Sequence, residues 1–557
     1  MSSGTGAVSR HPGGGGVTWR PGGRELVVSA LAVFLVALAV RAWAATQITF
    51  PAPEDTAYYV GVARNLLDGR GLVSDALWSY GTPPLEFPRP AFEIWLPLPA
   101  FLAAVPMAIL GPSFAAAQVS SIVMGALVPV LAWRVAADVA IELGLAPGRA
   151  RSLAIGTSLT SAVYLPLVLH SALPDSTMPF AVFALAACLL MTRIPGAGRP
   201  GWPLASLGIL LGLAALTRNE AIWLALAWVT LVRWSGAPTG EQIRRIALVG
   251  VVAMAVFAPW AIRDWIVFGN PLPGQALSNA LSLNGRDIFA WQDPPTLSAY
   301  LEAGPGVWIG TRITGFTHNV LNVLVIFGVP MSLIGIAALP RLARLRSLRA
   351  LLIVAGLTVA VTSLLFPVAT TWGTFLHAAG PVHVLLLTGC LAALDASIGW
   401  VGRRRGWTRP VAWLGPALAV FSGILFTAAL LPSFGAEGRE TEAKFAYLRE
   451  ALDDLDGEGG TAPVISDYPI WLAEETGRRS LALPDEPPAS VLDLAAAFPG
   501  THLLVVDRRE GGGRWPAILE EGLPGSECFR RIDLPKPADP LTLRAVAGTQ
   551  AYRVGCP

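Results

Sequence analysis

Two neighbouring acids, Glu54 and Asp55, open a stretch that continues Thr-Ala-Tyr58-Tyr59-Val-Gly-Val62-Ala-Arg64-Asn-Leu66-Leu67-Asp68-Gly69. A third acid, Asp175, sits in His170-Ser-Ala-Leu-Pro174-Asp175-Ser176, between two apolar runs. Arg218 lies in Leu216-Thr217-Arg218-Asn219-Glu220, wedged between two further runs, and Arg89 lies in Phe87-Pro88-Arg89-Pro90. Carboxylates so placed can take a proton from an attacking hydroxyl or hold a divalent cation. Guanidiniums can stabilise a phosphate on which charge develops. Each residue also has a plainer reading. First-turn acids complement a helix dipole, Asp175 suits an N-cap, and Arg218 suits a snorkelling anchor or an ion pair with Glu220. Their position at the edges of lipid-length runs, where charge is expensive, gives the chemical reading its weight.

The chain that must position them has 557 residues, of which 53% are hydrophobic and only 14% charged. Soluble domains carry about 25% charged residues, so an ordinary soluble enzyme is excluded. The basic residues are scattered between apolar runs and form no patch for nucleic acid. Apolar runs at 26–45, 115–137, 152–170, 178–192, 204–216, 221–232, 246–262, 316–339, 351–367, 375–394 and 411–431 predict about 11 transmembrane helices. Nineteen of the 27 basic residues before position 433 then fall in the N-terminal tail and in alternate loops. The positive-inside rule puts that face, with the N-terminus, in the cytoplasm. Asp55, Asp175 and Arg218 fall on the other side.

The run at 95–110 is apolar enough to span, but counting it inverts every later arginine cluster. It also carries Pro97, Pro99 and Pro106. It is expected to lie on or dip into the outer leaflet. Tyr58, Tyr59, Val62 and Leu66 recur at helical spacing, which makes the preceding segment an amphipathic interfacial helix in the same outer loop. Of the 38 acidic residues, 21 follow position 432, and this break in composition marks a domain boundary. The expected division is a disordered cytoplasmic tail at 1–24, a membrane domain at 25–432 and a soluble α/β domain at 433–557. Short apolar strands at 463–467 and 503–507 alternate there with helices. That domain has no phosphate-loop or nucleophile motif and is expected to position an acceptor or contact a partner. Cys188 and Cys390 read as packing residues, while Cys528 and Cys556 could pair on an oxidising side.

The order of these motifs resembles the GT-C superfamily of glycosyltransferases. It is most similar to family 39, the polyprenyl-phosphate-sugar transferases that include protein O-mannosyltransferases and bacterial aminoarabinose transferases. Glu54-Asp55 with Tyr58-Tyr59 matches the family's acidic pair and following aromatics. The stretch from Phe87 to Trp95 resembles its Pro-rich segment, with the adjacent prolines split. Pro174-Asp175-Ser176, Leu216-Thr217-Arg218 and Arg263-Asp264-Trp265 follow in the family's order. Two positions depart from the pattern. Gln118 stands near a usual arginine of the second span, and Thr374-Phe375-Leu376-His377 replaces an Arg-Tyr pair.

The resemblance implies an outward-facing, inverting transfer of a sugar from a polyprenyl-phosphate donor to a hydroxyl on a protein, glycan or lipid acceptor. Asp55 would be the base, with Glu54 and Asp175 as further catalytic acids. Arg89 or Arg218 would hold the donor phosphate. Tyr58, Tyr59 and His377 are substrate-binding candidates, although packing or helix-end roles are expected for His170, His377 and His383. Asp55 and Asp175 would be the ligands of any cation, Mg²⁺ or Mn²⁺, since no His-rich pattern argues for zinc. The competing class is a multi-span transporter or lipid-linked-sugar flippase. It would place charges at the bilayer midplane and show paired broken helices.

Overall fold

The computed structural model describes residues 9–10, 17–19, 21–194, 201–272, 274–407, 411–456, 460–507 and 513–556. The short strands β1 (Ser9–Arg10) and β2 (Val17–Thr18) pair before the first helix, α1 (Gly23–Gln47). The chain then forms α2 (Glu54–Leu67), strands β3 (Val73–Ser74), β4 (Ala76–Leu77) and β5 (Arg89–Pro90), and α3 (Leu98–Leu110). Next come α4 (Phe114–Glu142), α5 (Pro147–Val163), α6 (Leu165–Ser171), α7 (Thr177–Met191), α8 (Gly201–Ala215), α9 (Ala221–Trp234) and α10 (Thr239–Phe268). Two short helices, α11 (Ala276–Leu281) and α12 (Leu297–Glu302), lead into α13 (Gly304–Thr317), which continues as a π-helical stretch over His318–Ile326. The helical part ends with α14 (Met331–Leu342), α15 (Arg349–Leu364), α16 (Thr374–Ala378), α17 (Gly380–Arg404) and the 43-residue α18 (Leu414–Asp456).

Among the described residues, six helices are long and apolar enough to cross a membrane, and eight if each of two bent pairs counts as one span. The chain is a multi-pass membrane protein. Each of the 11 expected spans coincides with helical structure, but three of them, α7, α8 and α9, have only 15, 15 and 14 residues. At 1.5 Å per residue they reach about 21–23 Å, short of the roughly 30 Å hydrocarbon layer. The run at 95–110 yields α3, 13 residues and about 20 Å, again too short to cross. The expected straight span at 316–339 is bent by 109° between Ile326 and Met331.

The other bent pair, α5 and α6, turns by 53° at Tyr164. Pro166 lacks the N–H that Ala162 O would accept in a continuous helix. The stranded carbonyls are met from outside. Buried Arg41 of α1 donates to Ala162 O at 3.0 Å and Ser161 O at 3.4 Å, and Thr427 Oγ1 of α18 donates to Val163 O at 2.7 Å. The bend carries His170 and Asp175 inward.

Beyond α18 lie β6 (Val464–Ser466), α19 (Pro469–Thr476), β7 (Ser480–Ala482), α20 (Pro488–Ala497), β8 (Leu503–Asp507), β9 (Phe529–Ile532), α21 (Pro540–Ala545) and β10 (Thr549–Val554). They form a mixed sheet of order β4-β7-β6-β8-β10-β9. β4, β7, β6 and β8 run parallel, and β10 is antiparallel to both neighbours. The edge strand β4 comes from the loop after α2, so the first long loop is woven into the C-terminal sheet. Side chains alternate by the strand period of two. Val464, Leu503 and Val505 pack under Phe445 and Leu452 of α18, while Ile465, Leu504 and Val506 face the opposite core. Cys528 and Cys556 form a disulfide. Position 433, where the acidic composition begins, lies inside the unbroken α18.

Candidate active site

Three loops and one short helix bring the site together. Asp55 stands in the first turn of α2, with Oδ1 accepting the Thr56 N–H at 2.8 Å. Its Oδ2 lies 3.1 Å from Nε2 of His377. His377 rides on the five-residue α16, whose N-cap Gly373 has φ 110°, in the left-handed region glycine tolerates. A Cβ at Gly373 would also stand 3.2 Å from the His377 ring. The other ring nitrogen, Nδ1, is 2.7 Å from Thr177 Oγ1 and 3.5 Å from Asp175 Oδ2. Asp175 Oδ1 accepts the Thr177 N–H at 2.7 Å in the turn before α7, whose N-cap is Ser176, so a turn role and a place in the cluster coexist. His170, at the end of α6, points Nδ1 toward Asp175 Oδ2 at 3.6 Å.

Arg218 completes the arrangement from the α8–α9 turn. It donates to Ser176 Oγ at 2.9 Å and forks onto Glu220 at 2.7 and 3.1 Å. Tyr59 turns its hydroxyl to Ser176. Asp55, Asp175, His377, Arg218 and Tyr59 are thus gathered from parts of the chain up to 322 positions apart. Burial alone would raise Asp175, yet the two neighbouring imidazoles draw it below the ordinary carboxylate range.

Three expected residues are elsewhere. Arg89 is buried, donating to Ser79 O at 2.9 Å and Thr82 O at 2.8 Å and pairing with buried Glu93 at 3.3 Å. Its guanidinium organises the first loop, and the cluster's cation is Arg218. Tyr58 accepts the Phe92 N–H at 2.7 Å and packs on Trp95, with its ring edge-on to Tyr59 at 6.2 Å. Glu54 turns toward α19, where Oε1 accepts the N–H groups of Ile470 at 2.9 Å and Trp471 at 3.3 Å. Desolvation raises its pKa to about 8 against the pull of those two bonds. Gln118, near where the resemblance leads one to expect an arginine, donates Nε2 to Ile48 O and Ala172 O, both at 2.8 Å.

From sequence His170 suits a packing or helix-end role. Its spacing of five from Asp175 across a proline turn was the available signal. Likewise, the segment marked as a departure at 374–377 supplies the residue at the centre of the cluster. His170, Asp175 and His377 each offer a ligand atom, all within 4.8 Å of one another. His170 Nδ1 and Asp175 Oδ2 are buried without a hydrogen-bond partner, which fits a pair of cation ligands. The expected ligand pair is Asp55 and Asp175; the geometry groups Asp175 with His170 and His377. Asp55 meets the His377 ring at its other nitrogen, and two imidazoles with one carboxylate suit Zn²⁺ or Mn²⁺ better than Mg²⁺.

No protein-family profile matches the sequence, and no curated protein is significantly similar to it. Solved structures are. AglB, an oligosaccharyltransferase of Archaeoglobus fulgidus solved with an inhibitory peptide and a dolichol-phosphate, superposes with a TM-score of 0.56 at 14% identity, over 91% of this chain and 72% of its own. An Archaeoglobus fulgidus oligosaccharyltransferase solved with Zn and sulfate gives 0.53 at 16% identity, over 95% and 72%. ArnT of Cupriavidus metallidurans, bound to undecaprenyl phosphate, gives 0.55 at 14% identity, over 96% and 98%. The chain has the GT-C fold. The likeness to ArnT runs through nearly the full length of both proteins, the C-terminal sheet included.

Proposed function

We propose that the chain is a membrane glycosyltransferase that moves a sugar from a polyprenyl-phosphate donor to an acceptor hydroxyl, with inversion at the anomeric carbon. The observation that carries this reading is the convergence of Asp55, Asp175, His377 and Arg218 at one end of the short helices α7–α9. Solved relatives of the same fold hold lipid phosphates. Asp55 accepts the acceptor's hydroxyl proton as that oxygen attacks the anomeric carbon. The bond from that carbon to the phosphate oxygen breaks, and the lipid phosphate leaves with the electron pair. Arg218, anchored on Ser176 and Glu220, faces the charge that develops there. His377 keeps the Asp55 carboxylate turned to the acceptor, and Tyr59 lines the approach.

His170, Asp175 and His377 would hold a divalent cation; the Zn found in a relative fits their donor types. When bound, such an ion supplies positive charge for the donor phosphate. The arginine distribution supports an N-terminus in the cytoplasm and an extracytoplasmic site, with the α/β domain at 433–557 on the same side as the site. The sugar and the acceptor are to be identified by mass spectrometry of glycans and lipid-linked sugars in a deletion strain. An unchanged profile of both in that strain would contradict the reading.

A further inference from the structure

The first two N–H groups of α19 have no acceptor inside their own helix, because Pro469 begins it and Leu472 makes its earliest turn bond, to Tyr468 O at 3.1 Å. Glu54 Oε1 takes both, from Ile470 at 2.9 Å and Trp471 at 3.3 Å. A side chain from one end of the molecule thus caps a helix more than four hundred residues on. Two other contacts bind the same helices together. Trp471 Nε1 donates to Pro51 O at 2.9 Å, just ahead of α2. Further along, the Glu474 carboxylate pairs with Arg64 at 3.0 Å and lies against Gly61, where a Cβ would come within 2.0 Å of it. Gly61 is the gap in α2 that admits Glu474.

Asp55 follows Glu54 directly in the chain, in the same first turn of α2. Any rotation or withdrawal of that turn moves Asp55 relative to His377, which belongs to a different element. We propose that Glu54 is a positioning residue through which the C-terminal α/β domain, docked by α19, holds Asp55 in register with His377. It has no part in proton transfer. The inference rests on the glycosyltransferase reading for its kinetic consequence only; the docking has readouts of its own.

The test compares Glu54→Gln with Glu54→Ala in the full-length protein. A glutamine amide oxygen still accepts the two N–H groups, and alanine cannot. Hydrogen exchange at Ile470 and Trp471 and modification of His377 by diethylpyrocarbonate, mapped by mass spectrometry, are followed alongside transfer kinetics. Glu54→Ala should expose both amides, speed His377 modification and lower kcat by about 10²-fold, the loss expected for a misplacement near 1 Å, with donor KM nearly unchanged. Glu54→Gln should keep protection and stay within about threefold of wild type in kcat, since the cap geometry is kept. Gly61→Ala, which evicts Glu474 and leaves Glu54 intact, should move all three readouts in the direction of Glu54→Ala and serves if that variant does not fold. Glu54→Gln losing as much rate as Glu54→Ala with its amides still protected would overturn the proposal in favour of a charge role. Exposed amides with unchanged His377 reactivity would overturn it as well. A wild-type protein that transfers no sugar, while the exchange and modification results hold, would count against the glycosyltransferase reading alone.

Discussion

In the proposed reaction Asp55 and Arg218 divide the chemistry between them, and their replacement should separate the two halves. Asp55→Asn keeps size and an acceptor for the Thr56 N–H but loses proton acceptance. Transfer should fall by about 10²–10⁴-fold, the usual worth of a general base, with donor binding largely kept. Arg218→Ala should weaken donor binding and turnover together, because the cation next to Ser176 is gone and Glu220 is left uncompensated. Equilibrium binding of the polyprenyl-phosphate sugar beside single-turnover rates checks both. Metal removal gives a further test at this scale. Chelation followed by titration with Zn²⁺ or Mn²⁺ should show one site in wild type, and none in His170→Ala, which keeps the Asp55–His377 contact but lacks one ligand. The residues that sequence order could mark are those in short, ordered motifs: Asp55, Asp175 and Arg218. His170 and Gln118 were not legible because their roles depend on what the α5–α6 bend brings beside them. The contacts of Arg89 with Ser79 O and Thr82 O were not legible either, since order along a loop does not say which carbonyls a guanidinium meets.

The break between α5 and α6 is where the membrane part is most exposed to a single change. Replacing Arg41 with Leu strands the Ser161 and Ala162 carbonyls in the interior, at a cost of about 1–3 kcal/mol each. The detergent-solubilised protein should melt lower, with Thr427→Val producing a smaller shift in the same direction. In the sheet, Asp467 follows β6 and accepts the Asp507 N–H at 2.8 Å. Burial chiefly raises its pKa from 3.8 to about 7, with the Asp507 bond, Arg286 and Lys444 acting against it. A carboxyl raised in this way keeps its proton in the folded state after the unfolded chain has lost it. Stability contributed at low pH is therefore lost as pH rises from about 3.8 through about 7. Thermal melts across that window should show the decline, and Asp467→Asn should flatten it. Helix positions were readable from hydropathy because lipid demands long apolar runs. The 53° bend was not, since its stranded carbonyls are met by Arg41 and Thr427, far away in the chain. Two-residue β4 carries no sequence period at all; only its pairing with Ser480 and Leu481 defines it.

At the scale of the whole molecule, the acidic break at 433 and the continuous α18 describe one arrangement: a membrane part and an α/β part joined by a single long helix and tied again through α2 and β4. The non-crossing assignment of α3 is testable without interference from native thiols. Cys188 and Cys390 are buried and Cys528 is bonded to Cys556. Cysteines introduced at the exposed positions Asp68 and Pro112, on either side of α3, should both react with an impermeant maleimide from the outer side. Labelling at only one would make α3 a span and reverse every later face. The most direct measurement is transfer itself. Purified protein reconstituted in vesicles with a labelled polyprenyl-phosphate sugar and an acceptor recovered from the native envelope should release polyprenyl phosphate and label the acceptor with inverted anomeric configuration. Asp55→Asn protein of equal fold and donor affinity should do neither at more than about one per cent of that rate. Wild-type rates from Asp55→Asn would contradict the assignment of the base, and vesicles that carry the labelled lipid across the bilayer without labelling any acceptor would contradict the glycosyltransferase itself.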